Sequence, residues 1–143
     1  MNRIRPIAIC IFRHRKKILV TQAFDPIKNQ TFYRPVGGGI EFGEKSEDTI
    51  HREIMEELKQ EVTELHYLAT FENIFVFNEE AGHEIVQVYD GKFVNSELYD
   101  YPELNGFEEG AGQFQAIWKD LEEFNPQSPL YPDGLQGMLL EMM

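Results

Sequence analysis

Residues 35–58 read PVGGGIEFGEKSEDTIHREIMEEL, and the architecture hangs on them. Three glycines, Gly37, Gly38 and Gly39, come first, then the acids Glu41 and Glu44. From Ser46 onward, Ile50, Ile54 and Leu58 recur every four residues, the spacing of one apolar helix face. The pattern predicts a helix from Ser46 to Leu58 or Lys59. Ser46 is its expected N-cap, and Glu47 and Asp48 suit its first turn. The glycines predict a loop in which backbone approaches a ligand closely, and such loops ahead of helices often serve phosphates. The spacing is neither G-x-x-x-x-G-K-[ST] nor G-x-G-x-x-G. A plain turn is the alternative for the glycines alone.

The helix carries an unusual cluster. Positions three and four apart share a face, so Glu53, Glu56 and Glu57 lie together. Like-charge pairs at these spacings cost about 0.2–0.5 kcal/mol each on an exposed helix, and more where the carboxylates are desolvated. A divalent cation relieves that repulsion. Mg²⁺ suits an all-oxygen site that keeps several waters, and Mn²⁺ suits the same oxygens. Arg52 lies four residues before Glu56 and four after Asp48, within reach of either. The alternative is a solvated surface helix.

The rest of the chain bounds the answer. Its 143 residues suit one domain, residues 1–143. A net charge of -12 disfavours duplex DNA, which rewards basic surfaces. No run approaches the ~20 apolar residues of a membrane span. IAICIF is too short for a signal core, so no targeting segment is read. Cys10 is the only cysteine, which fits a reducing cytoplasm. A homodimer stays open.

Elements are expected on both sides of the glycines. RPIAICIFRHRKKILVTQAF reads as two strands around a basic turn containing Arg13, Arg15, Lys16 and Lys17. DPIKNQ reads as a loop, and TFYRPV as a short strand ended by proline and glycine. EVTELHYLATFENIFVFN gives one or two strands, EEAGH a turn and EIVQVYDGKFV another strand. NSELYDYPELNGFEEGAG reads as a long polar loop. QFQAIWKDLEEF is a strand leading into a short helix, and LYPDGLQGMLLEMM a terminal helix. Strands with packed helices predict an α/β or α+β domain on a mixed sheet.

Gly38, Glu44 and Arg52-Glu53-Ile54-Met55-Glu56-Glu57 stand at the spacing G-x5-E-x7-R-E-U-x-E-E, with U apolar. This resembles the Nudix box, which continues x-G-U. Lys59 stands where the family has glycine, and Gln60 where it has an apolar residue. That glycine commonly caps the helix in a left-handed conformation. Lys59 raises the expectation that the helix runs slightly further.

The resemblance implies an α/β fold, a Nudix-type α/β/α sandwich with a mixed sheet flanked by helices. It implies Mg²⁺-dependent hydrolysis of a nucleoside diphosphate linked to another group. Glu53 and Glu57 would be the main metal ligands, Glu56 a direct or water-mediated one, and the Gly38 carbonyl a further one. Arg52 would orient the glutamates, and Glu44 would tie loop to helix. Glu109 is the candidate general base on a later loop, with Glu108 and Glu84 behind it. Arg34 is assigned to a substrate phosphate beside Gly37, Gly38 and Gly39. Phe32, Tyr33, Phe75 and Tyr89 could stack on a base, though core is the favoured reading for most. His83 reads as a turn residue. Nucleoside triphosphates, dinucleoside polyphosphates, ADP-ribose and nucleotide sugars all remain as substrates. Specificity is expected in residues 25–31 and 95–112. A nucleotide-binding sensor without turnover is the alternative function, and the intact carboxylates argue against it.

Overall fold

The computed structural model describes residues 2–143. The first apolar run forms β1 (Ile4–His14), which turns at Arg15 and Lys16 into β2 (Lys17–Asp25). There follow β3 (Gln30–Gly39), α1 (Ser46–Leu58), β4 (Val62–Phe77), β5 (Glu80–Phe93), β6 (Glu103–Glu108), β7 (Gly112–Asp120) and α2 (Leu135–Met142). Among the described residues the strands form one seven-stranded sheet in the order β4-β5-β1-β3-β2-β7-β6. The sheet is mixed because β1 runs parallel to β5 and antiparallel to β3.

The continuous apolar run of β1 is explained by burial on both faces. Ala8, Cys10 and Phe12 pack toward Ile50, Ile54 and Leu58 of α1. Ile7, Ile9 and Ile11 pack toward Leu135 and Leu139 of α2. One helix therefore covers each face, giving the expected α/β/α sandwich. Ile50 and Ile54 are fully buried, and each such side chain contributes about 1.5–3 kcal/mol.

β3 links two halves of the sheet. Its first residues, Gln30 to Pro35, pair with β2, and Val36 to Gly39 pair with β1. Pro35, which has no N–H to donate, stands at that crossover. A cleft lies at this crossover, lined by Ile7 and Ile9 of β1 and Thr21 and Ala23 of β2.

Four expectations change. The three glycines are strand, not loop: Gly37, Gly38 and Gly39 lie opposite Ile9, Ala8 and Ile7. Gly37 has to be glycine there, since a Cβ would stand 2.1 Å from the Ala8 carbonyl oxygen. Ser46 is not the N-cap; Lys45 holds that position and no side chain caps the helix. The Ser46 hydroxyl bonds the Tyr89 hydroxyl at 2.6 Å instead. The segment from Asn95 to Gly112 is not one loop, because Glu103–Glu108 pairs with β7 from Glu103↔Ile117 to Glu108↔Gly112. Its inward positions are Leu104 and Gly106, too little apolar pattern to show through a polar sequence. Finally, α1 stops at Leu58, with Lys59 taking the left-handed conformation at φ 58° and ψ 39°. The Lys59 N–H donates to Met55 O, and its Nζ to Glu56 O at 3.1 Å. The family's cap geometry thus survives without its glycine.

Candidate active site

Arg52 organises the start of the cleft. Its Nε and Nη2 donate to Glu44 Oε2 and Oε1 at 2.8 and 2.9 Å. Nη2 also donates to the Gly39 carbonyl at 3.0 Å, and Nη1 to Glu53 Oε1 at 2.7 Å. A longer contact of 3.4 Å reaches Glu56. One planar guanidinium therefore ties strand β3, the following turn and helix α1 together, which suits its fixed fork of donors. Thr49 adds a 2.6 Å hydrogen bond to Glu44. These donors, Arg52 first and Thr49 second, hold the Glu44 carboxyl down at about 2. Arg52 thus bonds both Glu44 and Glu53, and Glu44 joins the turn to the helix.

Gly38 serves the side chain above it. A Cβ there would lie 2.3 Å from Glu53 Cδ and 2.4 Å from its Oε2. The Glu53 carboxylate thus rests on the bare backbone of Gly38. Glu57, one helical turn on, comes close to Glu53 on the same face of α1. Burial, then that contact and the charge of Glu53, push the Glu57 carboxyl up to about 9; Glu108 and Glu56 add smaller repulsions. Two carboxyl groups thus crowd together on one turn of α1.

Among the described residues no three acidic, histidine or cysteine side chains form a closed metal cage. Glu56 points outward with its side chain 60% exposed. The donors present still fit a hard divalent ion. Paired carboxylates and a neighbouring backbone are all-oxygen ligands, and Mg²⁺ usually takes one or two carboxylates, completing its shell with water and substrate phosphate. Glu53 and Glu57 are the residues that would hold it, beside Gly38.

The cleft has a cationic side as well. Glu57, Gly37, Gly38, Arg5, Arg34, Glu84 and Glu108 line one cavity of about 360 Å³. Arg34 Nη2 donates to Glu84 Oε1 at 2.8 Å, and Arg5 lies 3.7 Å from Glu84 Oε2. Glu84 is only 2% exposed. Two guanidiniums around one buried carboxylate leave a net positive charge facing the cleft. Glu84, a candidate general base, is the carboxylate on which both arginines converge. Arg5 had no signal in the sequence beyond its charge; only the parallel pairing Arg5↔Glu84 brings it here.

The later acids stand in different places. Glu109, the first candidate base, lines only an acidic rim with Glu53, Glu56, Glu57 and Glu108. Glu108 lines that rim and the main cleft. Glu108 is the last residue of β6, and Glu109 begins the turn that follows it. Of the four aromatics, Tyr33 and Tyr89 are core, as favoured. Phe32 and Phe75 instead line a second cavity of about 350 Å³ that adjoins the cleft at Arg5, Arg34 and Glu84. His83 lies within β5, opposite Ile74 and Ile4, rather than in the turn. The basic turn Arg15 to Lys17 lies at the tip of the first hairpin, and Arg13 pairs with Asp90 at 2.8 Å.

The NUDIX domain family model matches residues 2–136. A comparison with curated protein sequences finds no match. Among solved structures, the chain resembles a MutT NUDIX hydrolase from Burkholderia pseudomallei, with TM-score 0.64, 18% identity, and 99% of this chain and 100% of that one covered. It also resembles the E. coli ORF135 protein, at TM-score 0.58, 20% identity and 99% and 91% coverage. A NUDIX hydrolase from Nitrosomonas europaea follows at TM-score 0.58, 14% identity and 85% and 75% coverage. Identities this low speak for the fold alone, and the family assignment rests on the match across nearly the whole chain together with the intact carboxylates of α1. This chain belongs to the Nudix family of hydrolases, enzymes that act on phosphoric anhydride bonds.

Proposed function

We propose that the chain is a divalent-metal-dependent pyrophosphohydrolase that cleaves a nucleoside diphosphate linked to another group, with Mg²⁺ or Mn²⁺ as its ion. The family acts on substrates of this general kind. One observation carries the reading. Glu57, crowded against Glu53, lines the same cleft as Gly38, Arg5 and Arg34. Acids and guanidiniums lining one cleft suit a chain of phosphates bridged to an ion.

In hydrolysis a water oxygen forms a bond to phosphorus, and the bridging oxygen leaves with the electron pair of the broken P–O bond. A bound divalent ion supplies charge neutralisation and water acidification. Glu53 and Glu57 would hold that ion, and Arg52 fixes Glu53 and Glu44 in place. Arg34 and Arg5 bind and orient phosphate oxygens, with Glu84 positioning both. Glu108, facing the cleft beside Glu57, takes the proton of the attacking water. Its exposure to solvent lets it release that proton afterwards. The lone cysteine, Cys10, is buried and free, and we place the enzyme in a reducing cytoplasm.

The test is product release from a panel of nucleoside triphosphates, dinucleoside polyphosphates and nucleotide sugars. Each is assayed with Mg²⁺, with Mn²⁺ and with chelator, beside Glu57→Gln. Metal-dependent turnover of one class, reduced at least 100-fold in the variant, is the expected result; metal ligation and charge neutralisation are worth several kcal/mol, or about 10²-fold and more. No turnover by a protein that still gains thermal stability from nucleotide would replace the enzyme with a sensor.

A further inference from the structure

A third cavity, of about 920 Å³, adjoins the catalytic cleft at Thr21, Gln22, Glu57 and Phe114. The aromatic cavity adjoins the same cleft elsewhere, at Arg5, Ala23, Arg34 and Glu84. Strand β2 runs past all three. Asp25 lines the aromatic cavity, Ala23 that cavity and the cleft, and Thr21 the cleft and the third cavity. A strand rises about 3.3 Å per residue, so the three follow one another with the cleft in the middle.

The third cavity opens where two strands part. β2 and β7 pair from Lys17↔Asp120 to Thr21↔Ala116 and no further. Beyond that point β2 keeps only β3, and β7 keeps only β6. Phe114 forms the floor, lying on the bare backbone of Gly106. A Cβ there would come within 2.4 Å of the Phe114 ring and 2.9 Å of Leu58 Cδ2.

Its wall differs in chemistry from the cleft. Gln22, Asn105, Gln113 and Gln115 supply four side-chain amides, and Phe107 a ring that is 54% exposed. Among the described residues the one side-chain hydrogen bond between these amides, from Gln115 Nε2 to Asn105 Oδ1, is long at 3.5 Å. Glu57 and Lys59 are the only charged residues that line the cavity, and Lys59 Nζ donates to Glu56 O at 3.1 Å. A group made of further phosphates would find little positive charge here and would meet the acidic rim of Glu56, Glu108 and Glu109. A second nucleoside is served by several exposed ring faces, and this wall has one. A sugar fits better. Each hydroxyl donates and accepts, as an amide does, and the C–H face of a sugar ring packs on an aromatic face.

We propose that this cavity holds the group attached to the nucleoside diphosphate, that the group is a sugar, and that Asn105 and Gln115 bind its hydroxyls. The inference rests on the hydrolytic reading above and narrows its substrates to nucleotide sugars. A water oxygen bonds to one phosphorus and the bridging oxygen leaves on the other phosphate, giving a nucleoside monophosphate and a sugar phosphate. The sugar phosphate tests the site without a nucleotide and without turnover. Glucose 1-phosphate, mannose 1-phosphate and ribose 5-phosphate are each titrated into isotope-labelled protein with Mg²⁺ present, beside inorganic phosphate, and followed by nuclear magnetic resonance. At least one should bind about 10-fold tighter than inorganic phosphate, with shifts in the side-chain amide signals of Asn105 and Gln115. Asn105→Leu and Gln115→Leu change exposed strand positions, and each should remove most of that preference. Affinity for all three no better than for phosphate, or a preference that survives both substitutions, overturns the proposal. Turnover confined to nucleoside triphosphates or dinucleoside polyphosphates overturns it too and keeps the enzyme. Sugar phosphate bound at these amides in a protein that hydrolyses nothing refutes the enzyme and keeps the subsite.

Discussion

Substituting alanine at Gly37, Gly38 and Gly39 in turn separates fold from site within three consecutive residues. At Gly38 the new methyl would lie 2.3 Å from Glu53 Cδ. Carbon atoms sit about 3.5–4.0 Å apart at contact, so the carboxylate must retreat by roughly 1.2 Å or more. The obstacle is the far end of a flexible side chain, so the fold can yield cheaply. The site cannot, because Glu53 is held by Arg52 at 2.7 Å and by Glu57. A displacement of about 1 Å at a reacting centre costs on the order of 10²-fold. Gly38→Ala should therefore lower kcat/KM by about 100-fold while the melting temperature falls by less than about 3 °C, the equivalent of roughly 1 kcal/mol at this size. At Gly37 the methyl meets backbone, 2.1 Å from Ala8 O and 2.7 Å from Ile9 Cα. Overpacking of that kind costs about 1–3 kcal/mol or more, with a matching loss of melting temperature. At Gly39 the nearest atom is Arg5 Nη2 at 3.6 Å, ordinary contact, so Gly39→Ala should be close to silent in both assays. The readouts are initial rates under saturating metal and differential scanning calorimetry of the same preparations. Full activity in Gly38→Ala, at unchanged metal requirement, would refute the placement of Glu53 at the reacting centre.

Three further outcomes follow from the same geometry. Lys59→Gly should stabilise the protein by about 0.5–1 kcal/mol, since a left-handed non-glycine residue costs about 1–2 kcal/mol and added chain entropy returns part of it. A higher denaturant midpoint at constant slope is the expected sign, and a lower midpoint would show that the Lys59 contact to Glu56 O outweighs the strain. The Glu44 carboxyl lies at about 2, well below its ordinary 4.5. Its contribution to stability is therefore present above pH 4.5 and lost as pH falls from 4.5 toward 2; Arg52→Ala should shift acid unfolding to higher pH, followed by circular dichroism. Glu57 has the opposite sign, raised to about 9 from 4.5. In chelated protein its stabilising share is whole below pH 4.5 and gone above pH 9. Wild-type melting temperature should thus fall across that window more than that of Glu57→Gln, and added Mg²⁺ should restore the alkaline loss in wild type only.

The helix was legible in the sequence because its information is local. The spacing of Ile50, Ile54 and Leu58 sets the buried stripe, and the same periodicity forces Glu53 and Glu57 onto a neighbouring face. The long apolar run of β1 likewise announced a strand covered on both sides. Arg52 and Glu44 were legible because eight residues of turn and helix bring them together without help from the rest of the chain.

The partners of that helix were decided in three dimensions. Gly37 to Gly39 are strand because β1 pairs with them, and Gly38 is bare because a side chain from a later element needs the space. No spacing rule reveals that Arg5, Arg34 and Glu84 meet, since they come from three strands brought together by one parallel and one antiparallel ladder. Glu108 and Glu109 were indistinguishable as neighbours in a polar stretch until β6 formed, ending on Glu108 and leaving Glu109 in the turn. Local periodicity determines which residues share an element's face, because backbone geometry repeats within a few residues. Which faces then meet depends on long-range strand pairing, and in this protein that pairing assembles the cationic wall and the aromatic cavity.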